Sequence, residues 1–317
     1  MRFNPKARLD TRRVRDTGGS RGRASAGASR RAAGGATRTG LSPGMIGGGG
    51  IGTLLVVGLV FVLVQILGGG GGAGSALDGA LDTSRVAGTD RYASCATGED
   101  ANTSVDCARV AVENSLTDFW TDELGSRFRA EEALVTFTSS VDTGCGGASS
   151  AVGPFYCPAD ETIYLDTDFF DEVLERRLGG PDGGFVEPYV LAHEYGHHVQ
   201  NVLGTMGRVR TQQGPTSDAV RLELQADCYA GMWAAAATAT DDESGEALIS
   251  ELTEQDVAQA LAAAQAVGDD RIQERTQGQV TEETWTHGSA ASRMRWFTTG
   301  FEQGSLEACD TFAASSL

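Results

Sequence analysis

Residues 193–200 read HEYGHHVQ, and three of them have the types and spacing to hold and use a metal ion. On a helix, positions i and i+4 share a face with Cβ atoms about 5–6 Å apart. His193 and His197 can therefore converge on one ion. Glu194, one step round, lies beside that ion but is aimed at a water. The chain has four histidines and three fall here, so the ligands are concentrated rather than scattered. A catalytic zinc needs a third protein ligand and an open fourth position. Glu223, 26 residues after His197 in RLELQADCYAGMWA (221–234), supplies that ligand. Asp227 sits one turn further on and can accept the N–H of a liganding imidazole. Helix carboxylates are ordinarily solvated. Asp227, however, lies among Ala226, Cys228, Tyr229, Ala230, Met232 and Trp233, and a buried carboxylate requires a partner.

Two histidines stand apart from this set. His198 is turned about 100° from His197 and is expected to pack or face solvent. His287, in TWTHGSAASRMRWFTTG (284–300), has two readings. It caps or packs at a helix start, or it donates to the oxyanion of a tetrahedral intermediate opposite the metal. Arg293 or Arg295 on the same helix is expected to pair with Asp269 or Asp270.

The elements that must position these residues are mostly helical. Glu187 to Leu203 carries the first motif, and Ser217 to Ala237 carries the second. Thr103 caps a helix with Val112, Leu116, Phe119 and Leu124 on one face, ending at Gly125. Residues 133–137, 155–157 and 162–165 read as short strands. Thr167 to Leu178 reads as a helix. Thr253 with Asp256 forms a capping box for a helix ending at Gly268. A last helix covers Ser289 to Thr299 and stops at Gly300.

Charge divides the chain. The 317 residues carry a net charge of −18, yet residues 1–44 carry +9, which leaves −27 on the remainder. So acidic a body argues against nucleic acid as partner. Residues 1–44 hold almost no large apolar side chains and are expected to be a disordered basic tail. Residues 45–67 are uncharged and, at 1.5 Å per residue, span roughly 34 Å, enough to cross a membrane as a helix. Residues 68–91 form a Gly-rich linker, and 92–317 form the globular domain. Positive charge before the apolar run predicts a cytoplasmic N-terminus and an extracytoplasmic domain at the cell membrane. All six cysteines lie after residue 90, which fits disulfides in an oxidising compartment.

Taken together, HEYGHHVQ (193–200), ELQADCYAG (223–231), GDDRIQ (268–273), THGSAASRMRWFTTGF (286–301) and GPFYCPADETIYLD (153–166) resemble the neutral zinc metallopeptidase family of bacterial membrane proteins. The resemblance covers about residues 92–312 plus the apolar run. It implies peptidase activity and a zincin-like α+β fold, mainly helical with a small sheet. It also implies that Thr162 to Leu165 pairs with the substrate backbone. Six cysteines allow fifteen connectivities; the preferred set is Cys145–Cys157, Cys228–Cys309 and Cys95–Cys107.

The expected function is hydrolysis of a protein or peptide substrate. One zinc is held by His193, His197 and Glu223, with Glu194 as general base and His287 as a candidate oxyanion donor. The alternative is a non-catalytic interaction or scaffold protein with a structural zinc. That would need a fourth protein ligand, for which His287, Cys228 or another carboxylate are the candidates.

Overall fold

The computed structural model describes residues 1–19, 89–242 and 244–317. The expected membrane span at 45–67 lies outside the described residues, as does most of the linker at 68–91. Among the described residues no helix is long and apolar enough to cross a membrane.

The fold is mixed α and β. It opens with two strands, β1 (Arg2–Phe3) and β2 (Val14–Gly19). Next come helices α1 (Gly98–Thr103) and α2 (Val105–Leu124), then strands β3 (Ala133–Thr138), β4 (Ser140–Thr143), β5 (Gly146–Ser149), β6 (Phe155–Cys157) and β7 (Thr162–Asp166). Helices α3 (Val186–Val202) and α4 (Asp218–Ala236) follow. Strand β8 (Ile249–Glu251) precedes α5 (Glu254–Ala266), α6 (Asp269–Gln277) and α7 (Ala290–Gln303).

Residues 1–19 are not the disordered tail that composition predicts. β2 lies parallel to β3, with Val14 opposite Leu134 and Asp16 opposite Thr136, and β1 pairs with β8. Phe3, Ala7 and Val14 are buried. Asp10 and Asn114 exchange two hydrogen bonds, of 2.7 and 2.9 Å. Arg13 lies 3.2 Å from Glu113 and 3.9 Å from Glu131, two buried carboxylates behind α3. These contacts bridge about a hundred residues of sequence, so long-range pairing offsets an ordering cost that local composition could not. Thr89 donates its N–H to the Asp16 carbonyl and its hydroxyl to the Asp16 carboxylate. The two ends of the intervening chain therefore meet.

The main sheet runs β2-β3-β7-β6, parallel except for the β6–β7 pair. β7 is thus an inner strand, with β3 on one side and β6 on the other. Both its edges are already paired, so Thr162–Leu165 cannot take a substrate strand. β6 is the free edge on that side of the sheet, as β2 is on the other.

α3 is buried on nearly every face. α4 packs on it and, on the other side, on α7. The α4–α7 approach is close because two glycines allow it. A Cβ at Gly231 would lie 2.0 Å from the Phe297 carbonyl oxygen, and one at Gly300 would lie 1.8 Å from that of Cys228. Gly300 therefore sits inside α7 as a contact residue; the helix continues to Gln303, and Gly304 caps it with φ 55°. The capping box at Thr253 and Asp256 is present, and α5 ends at Ala266, two residues before Gly268. Between 167 and 178 there is only a π-helical turn, Phe170–Glu175, rather than a full helix.

Three disulfides clamp the chain: Cys95–Cys107, Cys145–Cys157 and Cys228–Cys309. The first ties the segment before α1 to α2. The second ties the β4–β5 hairpin to the free edge strand. The third ties α4 to the C-terminal segment.

Candidate metal centre and cleft

α3 and α4 cross so that Gly196 faces Ala226, where a Cβ would lie 3.1 Å from the Ala226 Cα. This close approach brings the two motifs together. His193 Nε2 lies 3.2 Å from Glu223 Oε2, and His197 Nε2 lies 3.6 Å from Glu223 Oε1. One ligand atom from each of the three residues falls within 4.8 Å of the others. Two imidazoles and a carboxylate are a donor set suited to zinc.

The far side of each imidazole is fixed. His193 Nδ1 lies 2.9 Å from Asp227 Oδ1. A carboxylate only accepts, so Nδ1 carries a proton, and Nε2, on the Glu223 side, is the nitrogen left to bind a metal. Asp227 also accepts from Tyr189 at 2.6 Å and from Arg293 at 2.8 and 2.9 Å. Arg293 thus pairs with Asp227, not with Asp269 or Asp270. His197 Nδ1 lies 2.8 Å from Gln200 Oε1, and Gln200 Nε2 donates to the Leu222 carbonyl at 2.7 Å. That second bond fixes the amide orientation, so Gln200 accepts from His197 and leaves its Nε2 lone pair turned inward.

The electrostatics follow from this packing. Burial works against a charged His193, but Asp227 and Glu223 outweigh it and raise its pKa to about 10. Burial opposes ionised Glu223 as well, yet His197, His287 and His193 hold it well below the usual carboxylate range. Glu194 goes the other way: burial raises it, against the pull of His197 and His193. A base held above its ordinary value is better placed to take and return a proton near neutrality.

His287 enters the cleft from the loop before α7. Its Nδ1 lies 2.8 Å from the Thr286 hydroxyl and 3.2 Å from Asp269 Oδ1. Asp269 Oδ2 accepts the backbone N–H groups of Thr286, His287 and Gly288 at 2.8, 2.7 and 2.9 Å. Asp269 therefore fixes the loop and the ring together. Burial lowers His287, but Glu223 and Asp269 outweigh it and raise its pKa.

Two cavities flank Glu194. One runs along Pro154 and, in β6, Phe155 and Tyr156 to His197 and His287. The other is walled by Phe169, Leu178, Val190, Val267 and Ile272. Both contain His287.

Residues 9–312 match the family described as "Putative neutral zinc metallopeptidase". The chain belongs to this family. It is 52% identical over 225 residues to Uncharacterized protein Rv2575 of Mycobacterium tuberculosis (strain ATCC 25618 / H37Rv), which covers 70% of this chain and 76% of that one. It is 41% identical over 202 residues to Uncharacterized protein YpfJ of Escherichia coli (strain K12), covering 61% and 66%. No solved structure matches. The family match begins at residue 9, inside the N-terminal segment that the fold absorbs.

Sequence spacing brought out His193, Glu194, His197, Glu223 and Asp227, and all five meet in this centre. It gave no role to Gln200 or Tyr189, and it offered Asp269 as a partner for an arginine rather than for His287. Two of these carry a helical signal. Gln200 is three residues after His197, and Tyr189 four before His193, each on the face its partner occupies.

Proposed function

We propose that this chain is a zinc-dependent peptidase that hydrolyses peptide bonds in a protein or peptide substrate. The observation that carries this reading is the count of convergent ligands. Among the described residues the metal cluster holds three, as a catalytic zinc requires, where a structural zinc takes four. Two candidates for a fourth ligand stand outside it. Cys228 is in a disulfide, and His287 does not join the cluster.

Zinc bound by His193, His197 and Glu223 would supply Lewis acidity, lowering the pKa of a water to about 7 and polarising the scissile carbonyl. Glu194, in the wall between the two cavities, removes that water's proton and later delivers it to the leaving amine. His287, held by Asp269, donates an N–H or a cationic charge to the oxygen that becomes negative. The free edge of β6 offers backbone groups to an extended substrate. The apolar cavity beside Glu194 receives an apolar side chain next to the scissile bond.

The three disulfides support an oxidising, extracytoplasmic location for the domain. With residues 1–19 docked on that domain, the single crossing with a cytoplasmic N-terminus is not retained, and the apolar residues 45–67 are proposed only as its contact with the cell membrane. A direct test of the activity is cleavage of casein by the full chain, its loss to a zinc chelator and its return on adding zinc. Cleavage that survives complete zinc removal rejects the proposal.

A further inference from the structure

α3 presents a second polar face, away from the metal ligands. His198 is fully buried there. Its Nε2 lies 2.8 Å from the Arg129 carbonyl, which can only accept, so Nε2 carries the proton. Nδ1 is then an acceptor, and the Tyr156 hydroxyl donates to it at 3.1 Å. Asn201, three residues on, donates its Nδ2 to the same hydroxyl at 3.0 Å. The Tyr156 and His198 rings also meet edge to face, with centroids 5.4 Å apart. Each donor has its acceptor, so the network specifies one arrangement.

Tyr156 is the middle residue of β6, the free edge. It lines the same cavity as Glu194 and His197, so this edge of the strand borders the cleft. The side chain is thus gripped from below by α3 while the backbone borders the cleft. Pairing with β7 and the Cys145–Cys157 disulfide hold the strand in its sheet, and the Tyr156 hydroxyl is its hydrogen-bonded link to the metal helix.

The geometry points to His198 and Asn201 as positioning residues that set the free edge of β6, through the Tyr156 hydroxyl, at the distance from Glu194 where an extended substrate backbone can pair with it. The kinetic consequence rests on the peptidase reading; the structural consequence does not. α3 therefore does two jobs. One face holds the metal and the other holds the strand that reads the substrate.

The test uses the full-length chain loaded with zinc, as wild type, Tyr156→Phe and Asn201→Ala. Tyr156→Phe keeps the ring and removes both hydroxyl contacts; Asn201→Ala removes one. Two quantities are read: amide hydrogen exchange at Phe155 to Cys157, and KM and kcat on fluorescein-labelled casein. For Tyr156→Phe the expectation is exchange about tenfold faster and KM about fivefold higher, with kcat within about twofold and zinc content unchanged. Asn201→Ala should fall between it and wild type. A purely stabilising network would leave KM where it was. Unchanged exchange and unchanged KM overturn the proposal, and so does a fall in kcat at constant KM. If wild type cleaves nothing while exchange accelerates as expected, the positioning stands and the peptidase reading fails.

Discussion

Asp227 Oδ1 lies 2.9 Å from His193 Nδ1, and the same carboxylate carries Arg293 and the Tyr189 hydroxyl. One buried group thereby sets the tautomer of a metal ligand and neutralises a buried guanidinium. Asp227→Asn should weaken zinc binding about 10- to 100-fold, measured by competition with a chromophoric chelator. It should also cost about 3–5 kcal/mol in urea unfolding, because Arg293 loses its counter-ion. Wild-type zinc affinity in this variant would mean that Asp227 does not orient His193.

Asp269 makes an analogous prediction for the cleft's other wall. Burial pushes its pKa up, but His287 and the loop N–H donors outweigh this and hold it below the usual carboxylate value. A depressed folded pKa adds stability that is fully present above the unfolded value, about 3.9, and is lost as pH falls through the lower folded value. Asp269→Asn should therefore flatten the acid side of the stability curve below about pH 4. At neutral pH it should lower kcat roughly tenfold or more, through a loosened His287. Unfolding curves across pH and casein turnover check the two parts separately.

Glu131, buried beside Glu113, behaves in the opposite sense. Burial and the neighbouring Glu113 carboxylate push Glu131 well above its ordinary value. The folded chain then holds a proton that the unfolded chain has released. Stability falls as pH rises from the unfolded value towards the raised folded one. Glu131→Gln fixes the neutral form, so its melting temperature relative to wild type should climb as pH rises above the ordinary carboxylate value of about 4.3. A constant or falling difference would contradict a protonated Glu131 in the folded chain.

The docked N-terminal segment places Lys6, an exposed residue, on the same folded body as the C-terminal half. The six native cysteines are all in disulfides, so an introduced cysteine is the single free thiol. Lys6→Cys and Glu307→Cys should react alike with a membrane-impermeant maleimide on intact cells. Labelling of one and protection of the other would restore the opposite-sided arrangement that the charge pattern predicts.

The metal centre was legible in the sequence because its residues are fixed by local helical spacing. His193, Glu194 and His197 share one helix, and Glu223 and Asp227 share another. The elements that escaped depend on distant partners. β2 is held by β3 and Arg13 by Glu113, and neither pairing leaves a periodic trace in a basic segment. Gly300 resembled a helix stop, since glycine commonly ends helices, but its role is to let α4 approach α7. α6 was missed because, of its nine residues, Ile272 is the one large apolar side chain, so no apolar stripe announces it. The sequence could not show that β7 is an inner strand and β6 an edge, since strand order within a sheet is a tertiary property.

The most direct test of the central claim compares wild type with Glu194→Gln in the full-length chain, measuring zinc content and casein cleavage side by side. The prediction is one zinc per chain in both, with cleavage by the wild type and at least a thousandfold less by the variant, on the order expected when general-base catalysis is removed. Equal cleavage by the two proteins, or a wild-type chain that binds no zinc, would contradict it.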